Sequence, residues 1–73
     1  MGTEGNPIFL SKLATRVKEL RVKAGLTQEE VYNDTGVHVG RLETGRRDFS
    51  VSTLEKICDY FQISLVDFFK GIK

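Results

Sequence analysis

Cysteine occurs once in this chain, at Cys58, so no disulfide can form within it. A lone cysteine in so small a protein fits a reducing, intracellular setting. Histidine also occurs once, at His38, and without a second histidine or a cysteine cluster a metal site is not expected. No apolar run approaches the ~18–20 residues that span a bilayer. The opening MGTEGNP lacks the charged and apolar regions of a signal peptide, which makes the cytoplasm the expected compartment. A strong charge of either sign is missing too. The net charge is +1, so composition alone does not announce a nucleic-acid binder.

The charges are unevenly placed. Residues 1–25 carry Lys12, Arg16, Lys18, Arg21 and Lys23 against Glu4 and Glu19. Residues 26–49 carry Arg41, Arg46 and Arg47 against Glu29, Glu30, Asp34, Glu43 and Asp48. Any basic patch must therefore be local and built by folding. The 73 residues allow one domain. A chain of this size buries only ~60% of its unfolded surface, so its stability margin is thin.

What is present is helical patterning. The stretch GLTQEEVYNDTGVHVGRLETG, residues 25–45, reads as helix, tight turn, helix. Thr27 and Glu30 form a capping box, and a short helix follows over 28–35 with Val31 facing inward. Gly36 breaks it at a position that tolerates positive φ. Val39 and Leu42, spaced i, i+3, share one face of a second helical piece that Gly45 stops. Two short helices joined at a glycine make a helix-turn-helix unit, which often presents its second helix to the DNA major groove.

The flanks are read as support for that unit. Residues 1–7 are expected to be a flexible N-terminal arm and 8–73 the folded domain, with Pro7 tolerated at or just before the first helical turn. Leu13, Val17, Leu20 and Ala24 recur at i, i+4, i+7 and i+11 as one apolar stripe, and Gly25 ends that helix. Ile8, Phe9 and Leu10 extend the apolar content upstream. After the loop 46–50, with Phe49 as a buried aromatic candidate, Ser52 and Glu55 are expected to cap a helix whose inner face is Leu54, Ile57, Cys58 and Phe61. Ser64 and Asp67 suggest a further box before a last helix carrying Leu65, Phe68 and Phe69. Five short helices with brief connections predict a compact all-α domain.

The motifs together resemble the phage-repressor and Cro type of helix-turn-helix domain, the xenobiotic-response-element family of bacterial and phage regulators. Val17-x-x-Leu20-Arg21, Gly-Leu-Thr-Gln-Glu-Glu at 25–30, Arg41-Leu42-Glu43-x-Gly45 and Ser50-x-x-Thr53-Leu54-x-x-Ile57 carry the resemblance, which runs from about 13 to 69. It implies a five-helix, lambda-repressor-like fold, duplex DNA as partner, a dimer, and a role in transcriptional control. One departure stands out. Only Val37, His38, Val39, Gly40, Arg41 and Leu42 separate Gly36 from Glu43, fewer than the family usually has. About three missing residues at ~1.5 Å rise shorten the recognition helix by ~4.5 Å at the end that normally reaches base edges.

The candidate DNA-binding residues are Thr27, Gln28, His38, Arg41, Thr44, Arg46 and Arg47. The first-turn amides at Thr27 and Gln28 suit a phosphate, and the family's glutamine contacts the DNA backbone. Arg41 can donate a bidentate bond to guanine or grip a phosphate. His38 stands at the shortened tip as a possible donor or as a capping residue. Thr44, Arg46 and Arg47 suit phosphates flanking the groove. Each has a plain alternative as a solvated or capping side chain. Arg21 and Glu43 are expected to form a partly buried, structural ion pair. Cys58 reads as a small core hydrophobe, and Tyr60, Phe69 and Ile72 as dimer contacts.

Function is thus expected to be sequence-specific binding of double-stranded DNA by a transcriptional regulator, as a homodimer on paired half-sites. The alternative is a protein-interaction module that kept the fold after its shortened helix lost base reading. No nucleophile–base pair, metal-ligand set or phosphate loop is present, so an enzyme is not expected. Nor is a cofactor, a small-molecule ligand or a membrane partner.

Overall fold

The computed structural model describes residues 6–72 and holds five helices among them. They are α1 (Pro7–Lys23), α2 (Gln28–Thr35), α3 (Val39–Leu42), α4 (Val51–Phe61) and α5 (Leu65–Lys70). The expected arm falls mainly on residues 1–5, which lie outside the described residues, as does Lys73. Asn6 and Pro7 belong to the first helix instead. Asn6 is its N-cap, its Oδ1 accepting from the amides of Ile8 at 2.9 Å and Phe9 at 3.2 Å, and Pro7 takes the first helical position, where an amide proton is not needed.

α1 buries Leu10, Leu13, Ala14 and Val17, the i, i+3, i+4, i+7 pattern of one helix face. The expected stripe is corrected at its far end. Leu20 is half-buried, but Ala24 is exposed, because it is the C-cap where the chain already leaves the helix. There the amides of Gly25 and Leu26 donate back to the carbonyls of Val22 and Arg21, the paired closure of a Schellman motif. Leu10 joins the core, whereas Ile8 and Phe9 stay on the surface.

The start expected for α4 is also corrected. The N-cap is Ser50, whose Oγ accepts from the Thr53 amide at 3.1 Å, and Ser52 already lies within the first turn, so the Ser52–Glu55 box is not formed. The inner face of α4 is as read, with Ile57 and Cys58 buried and Leu54 and Phe61 packed against the core. Burial pushes the Cys58 thiol above its ordinary range, which suits a packing role. α5 is capped by Ser64, whose Oγ accepts from the Asp67 amide at 3.0 Å. One face of so short a helix holds one phenylalanine: Phe68 is fully buried and Phe69 is 41% exposed.

α2 packs on α3 and α4, α1 on α3, and α4 on α5. Val17, Val31, Val39, Ile57 and Phe68, from all five helices, meet in one core with almost no exposure. Two polar ties join distant segments. The Arg16 guanidinium donates to the carbonyls of Phe68 at 2.8 Å and Asp67 at 3.0 Å, closing the C-terminal end of α5 from α1. A positive charge there also suits the negative end of a helix dipole. Gly71 makes room for this clamp, since a Cβ at that position would collide with the guanidinium carbon. The second tie runs from Tyr60 Oη on α4 to Asp34 Oδ2 on α2, at 2.6 Å. Tyr60 thus works inside the monomer, and Ile72 likewise packs against the core. Among the described residues, no helix is long and apolar enough to cross a membrane.

These ties generate two expectations. Arg16→Met keeps the stem but removes both charged hydrogen bonds, and should lower unfolding free energy by about 2 kcal/mol; Gly71→Ala should shift the urea midpoint in the same direction. The Tyr60 phenol is held above its ordinary value of 10 by its hydrogen bond to Asp34, by burial and by the carboxylate's charge. Its stabilising contribution is therefore complete below pH 10 and fades as pH rises through the folded value. In a Tyr32→Phe background, ultraviolet titration should show Tyr60 ionising late, and Asp34→Asn should bring it earlier.

Candidate nucleic-acid interface

The helix-turn-helix pair begins at the capping box. Thr27 Oγ1 accepts from the Glu30 amide at 3.0 Å, and Glu30 Oε1 accepts from the Thr27 amide at 2.8 Å. Thr27 is thereby committed to the cap. The amides of Gln28 and Glu29 have no hydrogen-bond partner among the described residues, but the carboxylates of Glu29 and Glu30 stand in the same turn and offset the helix dipole that would draw a phosphate.

The turn is tighter than the pattern of residues conveyed. Gly36 ends α2 with φ of 76°, its amide donating to Tyr32 O at 2.8 Å. Val37 is buried, anchored by a bond from its amide to Thr35 Oγ1 at 3.0 Å. His38 then has φ −78° and ψ 73°, with the Val39 amide donating to Val37 O across it at 2.9 Å. That is an inverse γ-turn. It reverses the chain in three residues, where a longer recognition helix would have a further turn. His38 makes no side-chain cap bond. Its ring lies against Tyr32, with centroids 4.3 Å apart and planes 29° off parallel.

α3 is consequently a single turn. Val39 and Leu42 point into the core, and Gly40 lies under Gln28. Gln28 Oε1 is 3.0 Å from where a Cβ on residue 40 would stand, and only a flexible side-chain end blocks that space. Gln28 thus lies close over Gly40, and its side-chain end would have to give by a few tenths of an ångström to admit a Cβ there. Arg41 is left exposed, with no hydrogen bond from its guanidinium to the described residues. Its carbonyl accepts from Thr44 Oγ1 at 2.7 Å, and Thr44 Oγ1 in turn accepts from the Arg46 amide at 3.3 Å. The Thr44 hydroxyl shapes the exit from α3. Gly45 follows with φ of 77°, packed 3.4 Å from the Ser11 backbone of α1 as measured to an added Cβ.

Glu43 holds this arrangement together. Arg21 Nε donates to Glu43 Oε2 at 2.8 Å and Arg21 Nη2 to Oε1 at 3.0 Å, while Arg21 Nη1 donates to Leu26 O at 2.8 Å. Gln28 Nε2 adds a third bond to the carboxylate at 3.0 Å. The two side chains are 12% and 5% exposed. Bonding to Glu43 raises the Arg21 pKa against the cost of burial, so the guanidinium stays charged. No buried side-chain polar atom among the described residues lacks a partner.

The pairing also redistributes charge. Glu43 is neutralised by Arg21 from α1, which leaves Arg41, Arg46 and Arg47 less opposed than their order in the chain suggests. His38, Arg41 and Arg47 line one shallow depression between α3 and α4, together with Lys56, Thr53 and Asp48. Lys56 and Tyr32 were not singled out from the sequence. Lys56 is one solvent-facing lysine of a helix surface, and only folding sets it beside the arginines. Thr27, Gln28, Thr44 and Arg46 do not line this depression. Gln28 is tied to Glu43, and Thr27 and Thr44 to their own turns. No group of three metal-ligating side chains occurs among the described residues.

Truncating the hub tests its weight. Arg21→Ala strands the Glu43 carboxylate and should cost about 3 kcal/mol. Replacing both partners, as in Arg21→Met with Glu43→Leu, should cost less than Arg21→Ala alone, read by thermal melting.

A family model described as helix-turn-helix matches residues 17–68, from the middle of α1 into α5. No curated protein and no solved structure gives a significant match. The matched segment contains the capped α2, the Gly36 turn, α3 and the Arg21–Glu43 hub, and the all-helical architecture agrees with it. The chain belongs to the helix-turn-helix family of DNA-binding domains, in its Cro and repressor type.

Proposed function

We propose that this protein is a transcriptional regulator that binds double-stranded DNA as a homodimer. The observation that carries this reading is the exposed, uncommitted Arg41 on α3, flanked by Arg47, Lys56 and His38 in one depression. Arg41 enters the major groove, where a guanidinium can meet a base edge. Arg46, Arg47 and Lys56 lie against phosphates, with the Gln28 backbone amide on the near side. Thr27 and Thr44 serve by fixing the turns on which these groups stand. Duplex DNA as target places the protein in the compartment that holds it, which in a bacterial cell is the cytoplasm.

The second copy is held through α5. Leu65, Val66 and Phe69 are exposed on it, spaced to share a surface, and Val66 is 64% exposed. This shifts the expected contact away from Tyr60 and Ile72, which are occupied within the monomer. Two copies so joined would meet half-sites ~34 Å apart, one turn of the duplex.

A second reading, a protein-interaction module without base reading, is favoured by the single-turn length of α3. One titration separates the two. Fluorescence anisotropy with a labelled duplex should show two copies per complex and an affinity that falls steeply with salt. Arg47→Ala should reduce the slope of log affinity against log salt by about 1. Val66→Asp should lower the stoichiometry. A folded protein that binds no duplex at any salt concentration would exclude the regulator and leave the interaction module.

A further inference from the structure

The further inference rests on the duplex-binding reading and narrows it. A helix in the major groove specifies several adjacent base pairs only if side chains from successive turns reach the base edges. Here α3 has four residues and one turn. Val39 and Leu42 are committed to the core, and Gly40 carries no side chain and lies beneath the Gln28 amide. At the tip, His38 is laid against Tyr32 of α2. Within this single turn, Arg41 alone sends a long, unengaged polar side chain outward. A single turn advances ~5.4 Å, less than two base steps of ~3.4 Å.

We infer that each copy of this protein reads one G·C pair, through Arg41, and draws the rest of its affinity from phosphates and duplex shape. Guanine is the assigned base because its O6 and N7 acceptors match the two-pronged guanidinium. The surrounding cations support sequence-independent contacts, and deformability of the duplex between half-sites supplies further selection without side chains. Gln28 acts as a positioning residue: its single bond to Glu43 and its cover of Gly40 hold the arginine's turn in place.

The test is selection of duplexes from a random pool by the full chain, followed by affinity measurements on single-base variants. One G·C position per copy should dominate, and replacing it should weaken binding by about 5- to 150-fold. Arg41→Ala, checked for unchanged helicity, should abolish that preference while salt-dependent binding persists. His38→Ala should leave the preference intact. Three or more adjacent specified base pairs per copy, a preference that survives Arg41→Ala, or one lost in His38→Ala would each overturn the inference. Binding without any preferred position would overturn it as well, yet leave duplex binding standing. Absence of binding to every duplex would remove both.

Discussion

The Glu43 carboxylate is the point on which this small domain turns. It receives two bonds from Arg21 and one from Gln28, and so gathers α1, the entry to α2 and the end of α3. Burying such a pair is costly unless the lone pairs are filled, and here they are largely filled. The hub therefore serves geometry more than net stability. It fixes the angle at which a single helical turn stands on the core, a job that two apolar contacts, Val39 and Leu42, could not do alone. Specific donor and acceptor directions supply what a short apolar face cannot.

Around that hub the protein closes its remaining ends with little material. Seventy-three residues leave a modest core, and three of the helices that compose it, α2, α3 and α5, have eight residues or fewer. The closures compensate: a two-bond cap at Asn6, a reciprocal box at Thr27, single hydroxyl caps at Ser50 and Ser64, and a guanidinium from α1 across the end of α5. Gln62 even adopts a left-handed conformation, φ 56°, so that the amide of Ile63 can reach back to Cys58. That conformation costs ~1–2 kcal/mol in a residue with a Cβ. Continuity of the chain into α5, and with it the burial of Phe68, outweighs the expense.

Much of this was legible because it is local. The Thr27–Glu30 box, the breaks at Gly25, Gly36 and Gly45, and the apolar spacing of α2, α3 and α4 all depend on residues within one or two turns of each other. Local patterns also mislead where several satisfy the same rule. In SVST, both Ser50 and Ser52 can cap, and the earlier one starts α4 two residues sooner while keeping Leu54, Ile57 and Cys58 inward. Asn6 before Pro7 was an adequate signal, obscured by the polar residues preceding it. The long-range ties were not legible. Nothing near Arg16 indicates that its partners are carbonyls some fifty positions away, and nothing near Tyr60 points to Asp34. The site follows the same division. Arg41 was visible as a candidate, while the engagement of Gln28 with Glu43 and the placing of Lys56 beside the arginines arise from packing alone.

The inverse γ-turn at His38 has a consequence for how such a chain can diversify. The change of direction between α2 and α3 falls at Gly36 and His38, with Val37 buried between them, and Val39, Leu42 and Glu43, which seat α3, lie downstream. An insertion at this tip would lengthen the probe outward without disturbing the register of Val39, Leu42 or Glu43. The hinge is thus a natural graft point, where the vocabulary of a DNA reader can grow or shrink while the scaffold beneath it keeps its shape.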